Sequence, residues 1–279
     1  MQVNSIVSIV SSKGGVGKTT TSANLGGIAA DAGLKTLLID LDGQPTLSSY
    51  FPLEYQAPGG TFDLLVHSNT NAENIISRTN IPGLDIILSN DPHNQLETLL
   101  LHAPDGRLRL RSLLKRLPAY DLVIIDTKGT SAVTVEMALV ASDLALSPLV
   151  PEMLSAREFS RGTLALFASV DRLRQSAGFG APPLHVVFNR QDNTNDARII
   201  SANIRELMGE LVTPFHVLNA AIPALLTYRL AASEGIPAHR LEPSNSARQR
   251  GRKAPLASDT LKAVASELWP EWKEQFARV

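Results

Sequence analysis

The chain has 279 residues, a formal net charge of −1 and no cysteine, which excludes disulfides, thiolate metal sites and a whole-molecule attraction to nucleic acid. Hydrophobic residues make up 44% and charged residues 19%, a balance that excludes a disordered or fibrous chain and suits one large domain with its own core. No stretch approaches the roughly 18 apolar residues of a membrane span, and residues 1–10 lack the basic start of a secretory leader, so a cytoplasmic protein is expected.

Apolar runs alternate with helical stretches along the chain. Residues 6–10 predict a strand, and residues 18–32 a helix stopped by Gly33. A strand at 36–40 (TLLID) is followed by a long polar loop and a strand at 84–88 (LDIIL). Helices are predicted at 94–102 and 106–117, the second broken by Pro118. Then come a strand at 122–126 (LVIID), a helix at 134–141, a strand at 144–149 and a longer helix at 156–175. A strand at 185–189 (HVVFN), a helix at 195–211 and a last helix at 258–278, interrupted at Pro270, complete the series. Strands without polar alternation predict a mostly parallel sheet covered on both faces. The expected fold is therefore α/β and doubly wound, with helices on both faces. One domain over residues 1–279 is expected, with the segment 258–279 packed upon it.

Residues 11–20 read SSKGGVGKTT, placed between the first strand and the first helix. Glycines allow successive backbone N–H groups to converge on one anion, and the following helix aims its positive end at the same point. Gly14, Gly15, Val16, Gly17, Lys18, Thr19 and Thr20 are the candidate phosphate cradle. Lys18 is placed to reach the β- and γ-phosphates and Thr19 to ligate Mg²⁺. The general pattern G-x-x-x-x-G-K-[ST] has Ser12 at its first glycine, and K-G-G-x-G-K-T stands instead. Six fixed positions recur by chance about once in 10⁷ starts, so accident is a poor account of it.

With its extra lysine, Lys13, this loop resembles the deviant Walker A box of the ParA/MinD group of P-loop ATPases. The resemblance implies ATP and Mg²⁺ as ligands, and a homodimer in which Lys13 crosses the interface to the partner's nucleotide. Asp126, at the tip of a buried strand, suits the Walker B role toward Mg²⁺, and Asp40 points to the same region. The segment LLIDLDGQPTLSSYF resembles the first switch of ParA proteins, which implies that Asp42 orients the attacking water. Lys13, Lys18, Asp42 and Asp126 are the expected catalytic set, with Thr19, Asp40 and Asp126 at the metal. Gly43 stands where the group has proline. DTKGT (126–130) falls at the second switch, where Lys128 replaces another proline and Gly129 suits a close approach to phosphate. Asn189 is expected either to read the adenine edge or to cap its strand. Residues 151–158 (PEMLSARE), with Glu152, Ser155 and Arg157, fall where the group has its dimer face.

The clearest basic concentration is residues 240–253, with Arg240, Arg248, Arg250, Arg252 and Lys253 against the single acid Glu242. Arg229 and Arg198 are candidates to join it. Such cations suit salt-sensitive, sequence-independent contact with DNA phosphates. No helix-turn-helix precedes the first strand, so the resemblance is to the short ParA type: a nucleoid-associated partition ATPase stimulated by a ParB-like partner. Two alternatives stay open. One is a MinD-like membrane-positioning ATPase. Against it, Glu271 and Glu274 offset Lys273 and Arg278 in the last segment, which suits packing on the core better than membrane contact. The other is a metabolic or assembly ATPase of the same fold.

Overall fold

The computed structural model describes residues 5–129, 132–192, 194–209, 215–241 and 255–279. The chain begins with β1 (Ser5–Ile9), α1 (Lys18–Asp31) and β2 (Thr36–Asp40). The stretch read as one polar loop contains β3 (Leu53–Tyr55), α2 (Thr61–Leu65), α3 (Ala72–Ile75) and β4 (Ser77–Thr79) before β5 (Leu84–Ile87). Next come α4 (Leu96–His102), α5 (Gly106–Leu114), β6 (Leu122–Asp126), α6 (Val133–Ala141) and β7 (Leu144–Leu149). The predicted helix at 156–175 is three pieces: α7 (Met153–Glu158), a π-helical turn (Phe159–Thr163) and α8 (Leu164–Ser176). The chain continues through β8 (Leu184–Gln191), α9 (Asn195–Gly209), β9 (Phe215–Pro223), α10 (Leu226–Glu234) and α11 (Ala238–Leu241). It ends with α12 (Ala257–Leu268), a 3₁₀ turn (Pro270–Trp272) and α13 (Lys273–Ala277).

The strands form one sheet in the order β3-β4-β5-β2-β6-β1-β7-β8-β9. All neighbours are parallel except β3–β4 and β4–β5. The mostly parallel, doubly wound sheet read from the strand patterns is thus observed. Successive residues of β2 go to opposite faces, as strand geometry requires. Leu38 joins the core under α1 and α12, while Leu37 and Ile39 join the core under α2, α4, α5 and α6. A third cluster lies under α6, α8 and α9, around Val186 and Phe188. Burial on both sides is why these strands show no alternation in sequence.

Trp269 and Phe276 are buried in the same core as α1, and the Trp269 indole donates to Ser5 Oγ at 3.2 Å. Burying each ring contributes about 2–3 kcal/mol, which anchors the last segment to the sheet. No helix of the described residues is long and apolar enough to cross a membrane.

Candidate nucleotide site

β1 runs between β6 and β7, and the two directions of chain winding part at its carboxyl end, where open α/β sheets place ligands. Residues 11–17 turn there into α1. Gly15 (φ 74°) and Gly17 (φ 91°) are left-handed, a conformation that costs other residues energy. At Gly17 a side chain is also excluded by space, because an added Cβ would lie 2.2 Å from Asn189 Nδ2. Among the described residues no side chain caps the start of α1, so its first amides remain available to an anion. Gly14, Gly15, Gly17, Lys18, Thr19 and Thr20 line one cavity of 760 Å³, and Asp42, Lys128 and Gly129 are also in its wall.

Ser12, standing where the general pattern has glycine, is tied to the π-helical turn. Its N–H donates to Thr163 Oγ1 at 3.2 Å and its hydroxyl to the Glu158 carbonyl at 3.4 Å. Gly162 makes the room, since a Cβ there would lie 2.3 Å from Ser12 Oγ. π-helical turns of this kind recur at functional sites.

Lys18 is 7% exposed, and its ammonium donates to the Lys13 carbonyl at 3.4 Å. Burial pulls its pKa down, opposed by Asp126 and Asp42. Thr19 Oγ1 donates to Asp126 Oδ2 at 2.7 Å and Ser22 Oγ to Oδ1 at 3.0 Å. Asp126 and Asp40 are register partners on β6 and β2, both fully buried. Asp40 accepts from the Asp42 N–H at 3.1 Å and from the Ser48 N–H and hydroxyl at 2.8 and 2.7 Å. Burial raises both carboxyls, Asp126 to about 7 and Asp40 to about 6, and the Asp40 charge pushes Asp126 further up. Two buried carboxyls and a hydroxyl form a hard oxygen set that a divalent cation would return to the ionised state. Among the described residues no cluster of three or more His, Cys, Asp or Glu could hold a metal. Such a set fits Mg²⁺, which takes few protein ligands and completes its shell with water and phosphate oxygens.

Asp42 is half-buried, and its Oδ1 accepts from the Gln44 N–H at 3.0 Å. Its loop is pinned by Ser89, whose hydroxyl donates to the Asp42 carbonyl at 2.7 Å. Lys13 does not project free. Its ammonium meets Glu158 Oε2 at 3.0 Å and donates to Ser155 Oγ at 3.2 Å, so in one chain it rests on α7. Glu152 stands in the same cluster, accepting from Ser155 Oγ at 3.4 Å, while Arg157 is exposed.

Asn189 is buried, and its Nδ2 donates to the Val16 carbonyl at 2.7 Å. It braces the glycine loop from β8, and one amide hydrogen and the carbonyl oxygen remain for another partner. A 480 Å³ cavity opens beside it, lined by Gly17, Thr20, Pro223, Leu225, Tyr228 and Arg229. Arg190, unnoticed in the sequence, adopts φ 56° and lines three adjoining cavities.

The basic candidates are divided. Arg248, Arg250, Arg252 and Lys253 lie outside the described residues. Arg229 is exposed on α10. Arg240 is engaged, since its guanidinium grips Asp31 at the end of α1 through two nitrogens and His239 Nε2 meets the same carboxylate at 2.6 Å. Burial would raise the Asp31 pKa, but the hydrogen bonds and charges of Arg240 and His239 outweigh it and hold it at about 2. A depressed carboxylate pKa stabilises the fold above the unfolded value near 4 and loses that contribution as pH falls toward 2. Asp31→Asn should therefore cost about 1 kcal/mol at pH 7, after allowance for solvent screening, and much less near pH 2. Denaturant melts at both pH values test this, and an equal cost at both would leave the pair without electrostatic value.

Residues 4–177 match the AAA domain family (AAA_31). The chain belongs to that family. It is 28% identical over 265 residues to the chromosome partitioning protein ParA of Caulobacter vibrioides, covering 90% of this chain and 97% of the relative. It is 27% identical over 210 residues to an uncharacterized protein of Mycobacterium tuberculosis, covering 74% of this chain and 65% of that relative's length. An ATP complex of Cyanothece McdA superposes with a TM-score of 0.73 at 20% identity, over 99% of this chain and 95% of the other. MinD of Pyrococcus horikoshii with Mg-ADP gives 0.66 at 21% identity, over 97% and 98%. These likenesses support the ParA/MinD-like P-loop ATPase resemblance carried by the loop at 11–20.

Proposed function

We propose that this chain is an ATP-dependent DNA partition ATPase that works as a homodimer closed over two nucleotides. The supporting observation is the K-G-G-x-G-K-T loop, seated at the carboxyl end of β1 with Lys13 held at its rim by Glu158 and Ser155. The residues of the 760 Å³ cavity suit MgATP, with the N–H groups of residues 14–19 and the Lys18 ammonium on the phosphates. Thr19, Asp126 and Asp40 suit the metal, directly or through its waters. Asp42 holds the attacking water, and Asn189 and the 480 Å³ cavity receive the base. Lys13 leaves Glu158 and Ser155 to reach the partner's phosphates when two chains close. Hydrolysis then releases the pair, with a ParB-like partner accelerating it and the complex residing on the nucleoid in the cytoplasm. One domain spans residues 1–279 in this reading.

DNA contact is assigned to Arg229, Arg248, Arg250, Arg252 and Lys253. Arg240 joins them only if Asp31 gives it up. A gel-shift series with ATP, ADP and no nucleotide, over a range of salt, tests the proposal; ATP-dependent, salt-sensitive shifting is expected. Arg248, Arg250 and Arg252 changed together to alanine should weaken binding and flatten the log K against log salt slope by about 1 for each phosphate no longer neutralised. An unchanged slope would place the DNA elsewhere on the surface. The MinD-like reading is tested with liposomes. Burial of Trp269 and Phe276 in the core supports no sedimentation with them, and ATP-dependent pelleting without DNA would reverse the preference. Steady turnover dependent on a small acceptor would favour the metabolic reading instead.

A further inference from the structure

Just beyond the end of β6 this chain carries Lys128, and the structure gives that lysine a partner. The Lys128 ammonium pairs with Glu97 Oε1, in the first turn of α4. Thr134 Oγ1 donates to the same oxygen at 3.2 Å, which holds Glu97 between α4 and α6. Lys128 and Glu97 both line the 760 Å³ cavity, with Gly14, Lys18, Thr19 and Asp42. The next residue, Gly129, lies against the glycine loop, where an added Cβ would fall 2.8 Å from Gly14 Cα. Besides Lys18 and Arg190, a further cation is therefore built into the wall of this chamber, and its counter-ion belongs to a different element.

We propose that Lys128 distinguishes a nucleoside triphosphate from a diphosphate, with Glu97 as the counter-ion that it exchanges for the terminal phosphate. This rests on the nucleotide reading of the site. The Lys128 and Glu97 side chains are 26% and 41% exposed, and a pair so solvated adds little stability, so separating it costs little. A terminal phosphate carries more charge than a carboxylate and forms charge-assisted bonds with an ammonium. A diphosphate ends one group short and leaves the Lys128–Glu97 pair as it is. After the exchange Glu97 keeps its bond from Thr134 and its exposure to water, so no buried charge is stranded.

The two partners have opposite expected effects, which a merely structural tie between α4 and the β6 loop would not produce. Calorimetry with Mg²⁺ and either ADP or a non-hydrolysable ATP analogue gives the ratio of the two affinities. Lys128→Met should weaken the analogue about tenfold while ADP stays within about twofold. Glu97→Gln, which frees the lysine, should tighten the analogue by about threefold or more with ADP again unchanged. Lys128→Arg should keep the wild-type ratio. An unchanged ratio in Lys128→Met, or a Glu97→Gln that weakens the analogue, overturns the inference, and Glu97→Gln decides the matter if Lys128→Met fails to fold. A wild-type chain that binds neither nucleotide would instead overturn the assignment of the whole site.

Discussion

Lys18→Ala is expected to reduce ATP affinity by at least about 100-fold, measured by calorimetry with Mg²⁺, because two charge-assisted hydrogen bonds to phosphate at about 1.5–3 kcal/mol each disappear together. The ammonium is nearly enclosed, and burial has already lowered its pKa. Water therefore screens it poorly, and an anion entering the cavity relieves its desolvation. Neither neighbouring lysine replaces it in position. Lys13 is drawn away by Glu158 and Ser155, and Lys128 by Glu97. Retained micromolar affinity in a folded Lys18→Ala chain would contradict the site.

Asp42→Ala is expected to leave ATP binding and pairing intact while hydrolysis falls by about 10²–10⁴, the range for removal of a positioned base. The side chain accepts a hydrogen bond from Gln44 N–H, a turn interaction whose removal costs about 1 kcal/mol. The Asp42 backbone stays fixed, since its N–H reaches Asp40 and its carbonyl reaches Ser89. The variant should therefore accumulate as persistent ATP-bound complexes on DNA. Phosphate release at the wild-type rate would move the water-orienting role to another group.

The phosphate loop is legible in the sequence because its parts are contiguous and chemically distinctive. Asp40 and Asp126 draw attention in the sequence because each is an acid ending a largely apolar strand, and the structure sets the two side by side. The interactions that hold the site are not. Asn189 braces Val16 across 173 residues, and neither end announces the other. β3 and β4 are three residues each at the sheet margin, too short for a period. β9 is long but lies at the other edge, where exposed His216 and Asn219 interrupt its apolar pattern. The π-helical turn at Phe159–Thr163 hides inside an otherwise helical pattern, since one widened turn barely alters the spacing of apolar residues.

That widened turn carries a consequence for engineering. Ser12 and Gly162 share a space that only one side chain can fill, and Thr163 fastens the arrangement. The room that Ser12 takes at the mouth of the loop is thus left by a glycine in a turn some 150 positions downstream. Transplanting residues 11–20 into a scaffold with a side chain at the position of Gly162 would thus import a steric collision unless 12, 162 and 163 travelled as a set.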